Sequence, residues 1–410
     1  MTLPECRFCA SPLSETFADL GMSPLANSYV PATDARAPET FYPLHAYVCS
    51  QCRLVQLEAM ATPEHIFKDY LYFSSYSDSW LDHCRRYASS MIERFKLGKS
   101  SQVVEVASND GYLLQFFIKS GVPSHGVEPA ANVAAEAVKK GVETTIAFFG
   151  AETARKLAAA GKSADLIAAN NVLAHVPEIN DFVTGFRLLL KPSGVVTIEF
   201  PHLLTQMREN QFDTIYHEHF SYLSLLSAER IFSAHGLRIF DVDRLPTHGG
   251  SLRIYACRAD NDSLPETNAL RALRAEEAQA GLDGPEAYRA FAQQIVEVKA
   301  QLLRFLIDAR LNGKLVAGYG APAKGNTLLN YCGVKTDLLT FTVDRSPHKQ
   351  GRLLPGTRIP ILPTEAIFEK KPDYLFILPW NLKEEITEQM ASVRDFGCKF
   401  VVAVPSLQVF

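Results

Sequence analysis

The chain has 410 residues, 47% of them hydrophobic and 21% charged, with a formal net charge of −4. That length leaves room for two or three domains, and the composition is that of an ordinary globular protein. The slight acidity argues against nucleic acid as a partner; no apolar run approaches the ~20 residues a membrane span needs, and the N-terminus lacks a secretion signal. The expectation is a cytoplasmic monomer with neither a membrane nor a nucleic-acid partner.

Four of the eight cysteines fall in the first 52 residues as two C-x2-C pairs, Cys6/Cys9 and Cys49/Cys52. In a cytoplasmic chain such pairs read as metal ligands rather than disulfides. Four thiolates make a closed tetrahedral zinc shell with no position left for substrate, so the zinc is expected to fold residues 1–66 and do no chemistry. Cys84, Cys257, Cys332 and Cys398 lack such spacing and read as plain thiols. FKDYLYFSSYSDSW, residues 67–80, follows, dense in tyrosine and serine. Core packing accounts for some of these rings; a sugar or nucleotide surface accounts for the hydroxyls as well, with Tyr70, Tyr72 and Ser75 facing it.

VVEVASNDGYLL, residues 103–114, is an apolar strand that stops at a turn of small and polar residues, with a helix expected over 112–120. Glu105, Ala107, Asn109 and Gly111 occupy alternate positions, where S-adenosylmethionine enzymes carry an acidic residue and then glycines, although only Gly111 is a glycine. A second strand ends in GVEPA, placing Glu128 where a Rossmann-type sheet needs an acceptor for ribose hydroxyls. A third, ADLIAANNVLAHV, ends at Asn170 and Asn171 beside the expected adenosine, and KPSGVVTIEFP is a fourth strand after a Pro–Gly turn. Strands alternating with helices predict a doubly wound, mostly parallel α/β sheet over residues 67–300.

QFDTIYHEHFSYLS gathers Tyr216, His217, Glu218, His219 and Tyr222. His-Glu-His lacks the i, i+4 spacing of a helical zinc site. An extended chain would put His217 and His219 on one face; a helix would put His219 beside Tyr216 and Tyr222. Either way an imidazole, a carboxylate and a phenol form an acid/base set. In THGGSLRIYACR, His248 and two glycines precede a strand, as a tight turn or a close approach to ligand. Residues 260–301 read as a bridging helical segment with a solvated charged face.

Residues 301–410 open a second α/β unit. GKLVAGYGAPAKGNTLLNYCG gives a strand over 314–319 and a helix from about Lys324, with Gly320, Lys324, Gly325 and Asn326 resembling a phosphate cradle at a helix N-terminus. It matches neither a Walker loop nor a dinucleotide fingerprint. A further strand ends at Asp344 with Lys349 beyond it, and another ends at Trp380 and Asn381, where open α/β sheets bind ligands. A second nucleotide pocket is one reading and a structural repeat of the first sheet the other.

Taken together, CRFC…CSQC, DLGMSPLANSYV, DYLYFSSYS, EVASNDGYLL, GVEPA, NNVLAHV, YHEHFSY, HGGSLR and GYGAPAKGNTLLNYCG resemble the zinc-containing C-methyltransferases of nucleotide-linked 4-keto-6-deoxy sugars, over nearly the whole chain. The resemblance implies a Rossmann-like methyltransferase core that binds S-adenosylmethionine, flanked by a zinc module and by a second Rossmann-like domain that holds the nucleotide, by family habit thymidine diphosphate. It also implies His219 as base, with Tyr216, Glu218 and His175 around the sugar. O- or N-methylation of a small molecule is the alternative enzyme reading. A zinc-knuckle docking module for RNA or protein is the non-enzyme one; the acidic balance and the lack of Lys/Arg clustering near the cysteines speak against RNA.

Overall fold

The computed structural model describes residues 3–60, 75 and 78–410. Tyr70 and Tyr72 lie outside these residues. Among the described residues, three principal sheets share the chain, and no helix is long and apolar enough to cross a membrane.

The central sheet has seven strands in the order Leu237–Leu245, Ser251–Arg258, Leu190–Pro201, Ala164–Asn170, Val103–Val106, Ser124–Val127 and Thr144–Thr145. The last five run parallel and the first two antiparallel to their neighbours. Val103–Val106 is buried throughout, as a strand covered by helices on both faces must be. Chain order reverses between it and Ala164–Asn170, which opens a crevice at their carboxyl ends. The helix expected over 112–120 is shorter, Leu114–Lys119, because Asn109 (φ 47) and Gly111 (φ 75) hold the backbone before it in left-handed conformations no α-helix continues through. Nor does a separate Pro–Gly turn precede the fourth strand: it begins at Leu190 and absorbs that stretch as a register shift.

A six-stranded sheet forms the C-terminal domain, in the order Ile361–Leu362, Thr342–Val343, Val316–Tyr319, Tyr374–Ile377, Lys399–Val402 and Gln408–Val409, parallel except at the last pair. Its order also reverses beside its first strand, so the chain holds two Rossmann-like crevices.

The N-terminal sheet joins Glu15–Ser23, Tyr42–Val48 and Val55–Leu57, but its fourth strand is Ser221–Tyr222, from the YHEHFSY segment. The zinc module thus pairs directly with the segment carrying the acid/base set. It is wedged against the long helix Glu286–Leu311, where Phe17 stacks on Phe291 at 4.8 Å. The expected bridging segment is two helices, Asn268–Gln279 and Glu286–Leu311. Its charges are not all solvated: Glu277 is buried, accepts from the Leu225 and Leu226 N–H groups at 2.7 and 2.8 Å, and lies 2.7 Å from His202 Nε2. It caps a neighbouring helix from the side, a tertiary role that periodicity cannot reveal.

Candidate active site

The sulfurs of Cys6, Cys9, Cys49 and Cys52 lie within 4.8 Å of one another, with Cys6–Cys52 and Cys9–Cys49 each at 3.5 Å. The Cys6–Cys52 hydrogen bond lowers the pKa of Cys6 and raises that of Cys52, so the two sulfurs share a proton that a bound cation would displace. Four sulfurs at this spacing fit a tetrahedral ion with Zn–S bonds of about 2.3 Å. Cys84, Cys257, Cys332 and Cys398 are buried and unpaired.

At the central crevice, Ala107 (φ 57) and Asn109 (φ 47) adopt the left-handed backbone that glycine would supply. The glycine pattern missing from the letters is therefore present in the conformation. Gly111 has no such freedom to vary, since a Cβ there would meet Val142 Cγ2 at 2.8 Å. Glu128 braces the loop: its two carboxylate oxygens accept from Asn109 N and Ala130 N, each at 2.9 Å, and burial lifts its pKa. Glu105 is fully buried, and burial pushes its pKa well up, with only the Tyr112 phenol beside it as relief. Ser108 Oγ, the Asn170 amide and Asn171 Oδ1 are also buried without a protein partner among the described residues. Buried polar groups are normally paired. This rim of orphaned acceptors and donors fits a ligand with ammonium, hydroxyl and amine groups. Ser75 bonds Asp110, which also takes Lys140 at 2.9 Å, so the one described residue of the tyrosine–serine segment's candidates does reach this loop.

The YHEHF segment is neither helix nor strand. It is a β-turn in which His219 N bonds Tyr216 O at 2.8 Å, and the turn separates the side chains. His217 is buried toward the zinc module, its Nε2 3.1 Å from Pro43 O, so it does not share a face with His219. Glu218 accepts from Asn27 Nδ2 at 2.7 Å, and burial raises its pKa. His219 Nδ1 lies 3.0 Å from Thr214 O and Nε2 2.8 Å from the Tyr216 hydroxyl. A carbonyl only accepts, so Nδ1 carries the proton and Nε2 is the basic nitrogen, which receives the phenol O–H. Burial, then the fields of His175, His248 and Lys324, push the His219 pKa well down, so the ring is neutral. His175 packs edge-on at 4.7 Å with Nδ1 on Glu218 O at 2.7 Å, and burial lowers it to about 4. Tyr222 is buried with its ring 6.2 Å from His219, and the two line one small cavity together with Gln206 and Ser221.

His248 (φ 55) lies in a turn where a Cβ on Gly249 would meet Trp380 at 2.5 Å. The glycine admits a side chain from the C-terminal domain. Trp380 donates to Asp213 Oδ2 at 2.7 Å; Lys324 sits over the indole at 4.3 Å and donates to Asn381 Oδ1 at 2.8 Å. Trp380 and Thr327, bonded to Asp213 and Ile215, tie the C-terminal domain to the segment that carries the acid/base set. On the far side, the Asp344 carboxylate is occupied by Ala321 N and Ser346 N, at 2.7 and 2.8 Å. Lys349 donates to Ala321 O at 2.8 Å, as does the Tyr29 hydroxyl at 2.5 Å. Gly320 (φ 88) and Gly325 pack against Pro379 and Leu378, letting the helix approach the neighbouring strand's end. Asn326 does not face the crevice: it is buried and ties the helix to Ala26 O at 2.7 Å.

Sequence reasoning missed Asn27, Tyr29, Asp110, Asp213 and the trio of half-buried His83 with buried Glu199 and Arg253. DLGMSPLANSYV held the signal for the first two, as a polar cluster closing an otherwise apolar run. The rest become visible only when distant strands pair.

A Rossmann-type sheet with this polar rim at its switch point defines an S-adenosylmethionine-dependent methyltransferase core. Comparison with known proteins goes further. Residues 80–242 match the family "Methyltransferase domain", 246–405 match "C-methyltransferase C-terminal domain" and 6–67 match "Putative zinc binding domain". The chain is 37% identical over 409 residues to C-methyltransferase NovU of Streptomyces niveus, spanning 99% of this chain and 97% of that one. It belongs to the zinc-containing S-adenosylmethionine-dependent C-methyltransferases. Among solved structures, the Synechocystis magnesium protoporphyrin IX methyltransferase with bound cofactor is 15% identical, over 48% of this chain and 88% of that one, at a TM-score of 0.33. The Burkholderia thailandensis 1,6-didemethyltoxoflavin-N1-methyltransferase is 17% identical over 52% and 98%, at 0.37. Likenesses this distant carry no argument.

Proposed function

We propose that this C-methyltransferase acts at C3 of a nucleotide-linked 4-keto-6-deoxy sugar, the nucleotide being thymidine diphosphate, on a route to branched deoxysugars. The observation that carries the reading is the Tyr216–His219 pair: a neutral imidazole whose tautomer is fixed by Thr214 O, with its basic nitrogen toward a phenol. Such a base serves C-methylation where a neighbouring carbonyl can turn a C–H carbon into a nucleophile.

Bound S-adenosylmethionine supplies the electrophilic methyl group. Glu105, Ala107, Asn109, Gly111, Glu128, Asn170 and Asn171 hold it at the central crevice. His219 Nε2 takes the C3 proton, and the C–H electron pair moves toward the C4 oxygen. Tyr216 gives up its bond to Nε2 when substrate arrives and turns its O–H to the sugar. His175, with Nδ1–H committed to Glu218 O, presents an acceptor and holds a sugar hydroxyl. Glu218, oriented by Asn27, does the same on the other side. Alignment of carbon, methyl and leaving sulfur does most of the remaining work. The nucleotide lies along the C-terminal crevice by Gly320, Gly325, Asp344, Lys349, Trp380 and Asn381. We divide the chain accordingly into a zinc module (1–66), a core with the helical bridge (67–300) and a nucleotide-holding domain (301–410).

The test is mass spectrometry of dTDP-4-keto-6-deoxysugars incubated in heavy water. Deuterium entering at C3 without cofactor, and a single methyl gained with it, is the expected result. No exchange and no methylation across the panel would remove the sugar substrate.

A further inference from the structure

We infer that Lys324 is the cationic group facing the sugar's C4 oxygen, opposite the His219 base, and that Asp213 is the residue that positions it. This rests on the sugar reading above and assigns Lys324 to the reacting atoms instead of to phosphate.

The geometry starts from the helix Ala323–Cys332, whose first turn carries Lys324. Thr327 Oγ1 donates to Ile215 O at 3.1 Å and Asn326 to Ala26 O at 2.7 Å. Ile215 directly precedes Tyr216, so the turn bearing Lys324 is fastened to the same backbone that bears the base. The ammonium lies on the Trp380 face and donates to Asn381; its other N–H bonds have no acceptor among the described residues. Trp380 is pinned from below by Asp213 Oδ2 and from the side by Gly249. The Lys324 stem therefore has little choice of direction.

Position decides between the two roles. Asp213 is fully buried and its Oδ1 lacks a hydrogen-bond partner among the described residues; burial raises the pKa of its carboxyl to about 6 and lowers that of the Lys324 ammonium, which the Asp213 field opposes. On that side of the crevice the charge needing a partner is the one that exists only while the proton is leaving, and a fixed ammonium suits it. Burial first, and the Lys324 charge after it, keep His219 and His248 neutral; the Thr327–Ile215 bond sets the same end of the helix beside the segment that bears the base. Lys349, across the crevice at Ala321 O, remains for the nucleotide.

In the step itself the C3–H bond breaks and its proton goes to His219 Nε2. The freed pair forms the C3–C4 double bond, and the carbonyl pair moves onto oxygen. Lys324 donates a hydrogen bond to that oxygen and keeps its proton. When the C3–C4 π pair then forms the new C3–CH3 bond, the S–CH3 pair would leave on the cofactor's sulfur and an oxygen pair would restore the carbonyl.

The experiment compares the full-length wild type with K324M, K324R and D213N. It follows C3 deuterium exchange into a dTDP-4-keto-6-deoxysugar without cofactor, at saturating substrate, alongside calorimetric affinity for dTDP. Removing one oxyanion donor costs about 10²–10³-fold. K324M should lose exchange on that scale with dTDP affinity unchanged. K324R, which keeps the charge and controls for folding, should retain part of it, and D213N should lose exchange several-fold, again without weakening dTDP. Wild-type exchange in K324M, or dTDP affinity falling in parallel with exchange, overturns the assignment. A wild type that exchanges no keto sugar fails the sugar reading itself and this inference with it, whereas an active wild type beside an unaffected K324M sinks this inference alone.

Discussion

Removing Arg253 should destabilise the central sheet more than any loss of surface charge. Arg253 and Glu199 are direct cross-strand partners on antiparallel strands, both buried, and Glu199 is completely so. Arg253 Nε donates to Glu199 at 2.8 Å, its second nitrogen contacts the same oxygen, and the guanidinium lies over the Tyr87 ring at 4.7 Å. His83 Nε2, at 3.1 Å, is the carboxylate's other support. In R253M the carboxylate stays buried with His83 alone, a loss that typically costs 3–5 kcal/mol, roughly. At about 2–4 °C per kcal/mol for a domain of this size, melting should fall by about 6–20 °C. Urea unfolding of R253M, E199Q and the double variant tests it: the double variant should cost less than the sum of the two, because removing both charges leaves nothing uncompensated.

The same pair has a pH signature. Burial pushes Glu199 up, but His83 and Arg253 outweigh it and hold its pKa below the usual carboxylate value. In the wild type that stabilisation is present above the unfolded pKa near 4.5 and disappears as pH falls through the lower folded value. In R253M burial prevails and the folded pKa moves above 4.5. The folded variant then binds its proton first, so its deficit should shrink as pH falls from 8 toward 4.5. A deficit below about 1 kcal/mol, or one that grows on acidification, would refute the argument.

Other outcomes follow from the site. H219N should abolish turnover while cofactor affinity, read by calorimetry, is kept; wild-type rates would take the base role from His219. Because burial and neighbouring cations hold His219 well below 6.5, the neutral base persists in mild acid. The acid limb of kcat/KM should therefore lie below pH 6.5, and a limb above it would contradict a buried neutral imidazole. C49S, or chelation of the wild type, should lose zinc and N-terminal folding together; because Ser221–Tyr222 is a strand of that same sheet, activity should go too. A soluble, zinc-free, active C49S would show the metal to be dispensable. G249A places a methyl 2.5 Å from Trp380 at φ 87. It should raise KM for the sugar nucleotide more than it alters cofactor affinity, and unchanged kinetics would detach Trp380 from the substrate site.

Much of this protein was written locally enough to read from its letters. Each C-x2-C pair sits on a short knuckle that aims two sulfurs at one point, although the two knuckles meet only because the strands Glu15–Ser23 and Tyr42–Val48 pair, and the alternating apolar runs of residues 103–201 specify a parallel sheet because each strand must be covered on both faces. The position of Glu128 at the second strand's end follows from the same repeat. What local pattern could not decide is which groups meet across long stretches of chain. The β-turn that splits His217 from His219 depends on Pro43 and Asn27 receiving the side chains of its two central residues, His217 and Glu218. The strand Ser221–Tyr222 exists only because the zinc module offers it an edge. Glu199 reads as one acidic residue in an apolar strand until Arg253 is set opposite it, 54 residues away. Asp213, Trp380 and Lys324 come together from two sheets, where low dielectric strengthens each interaction and makes an unpaired charge costly. Periodicity encodes which face of an element is buried; only tertiary packing decides which polar groups share that burial, and the candidate chemistry of this site resides in those partnerships.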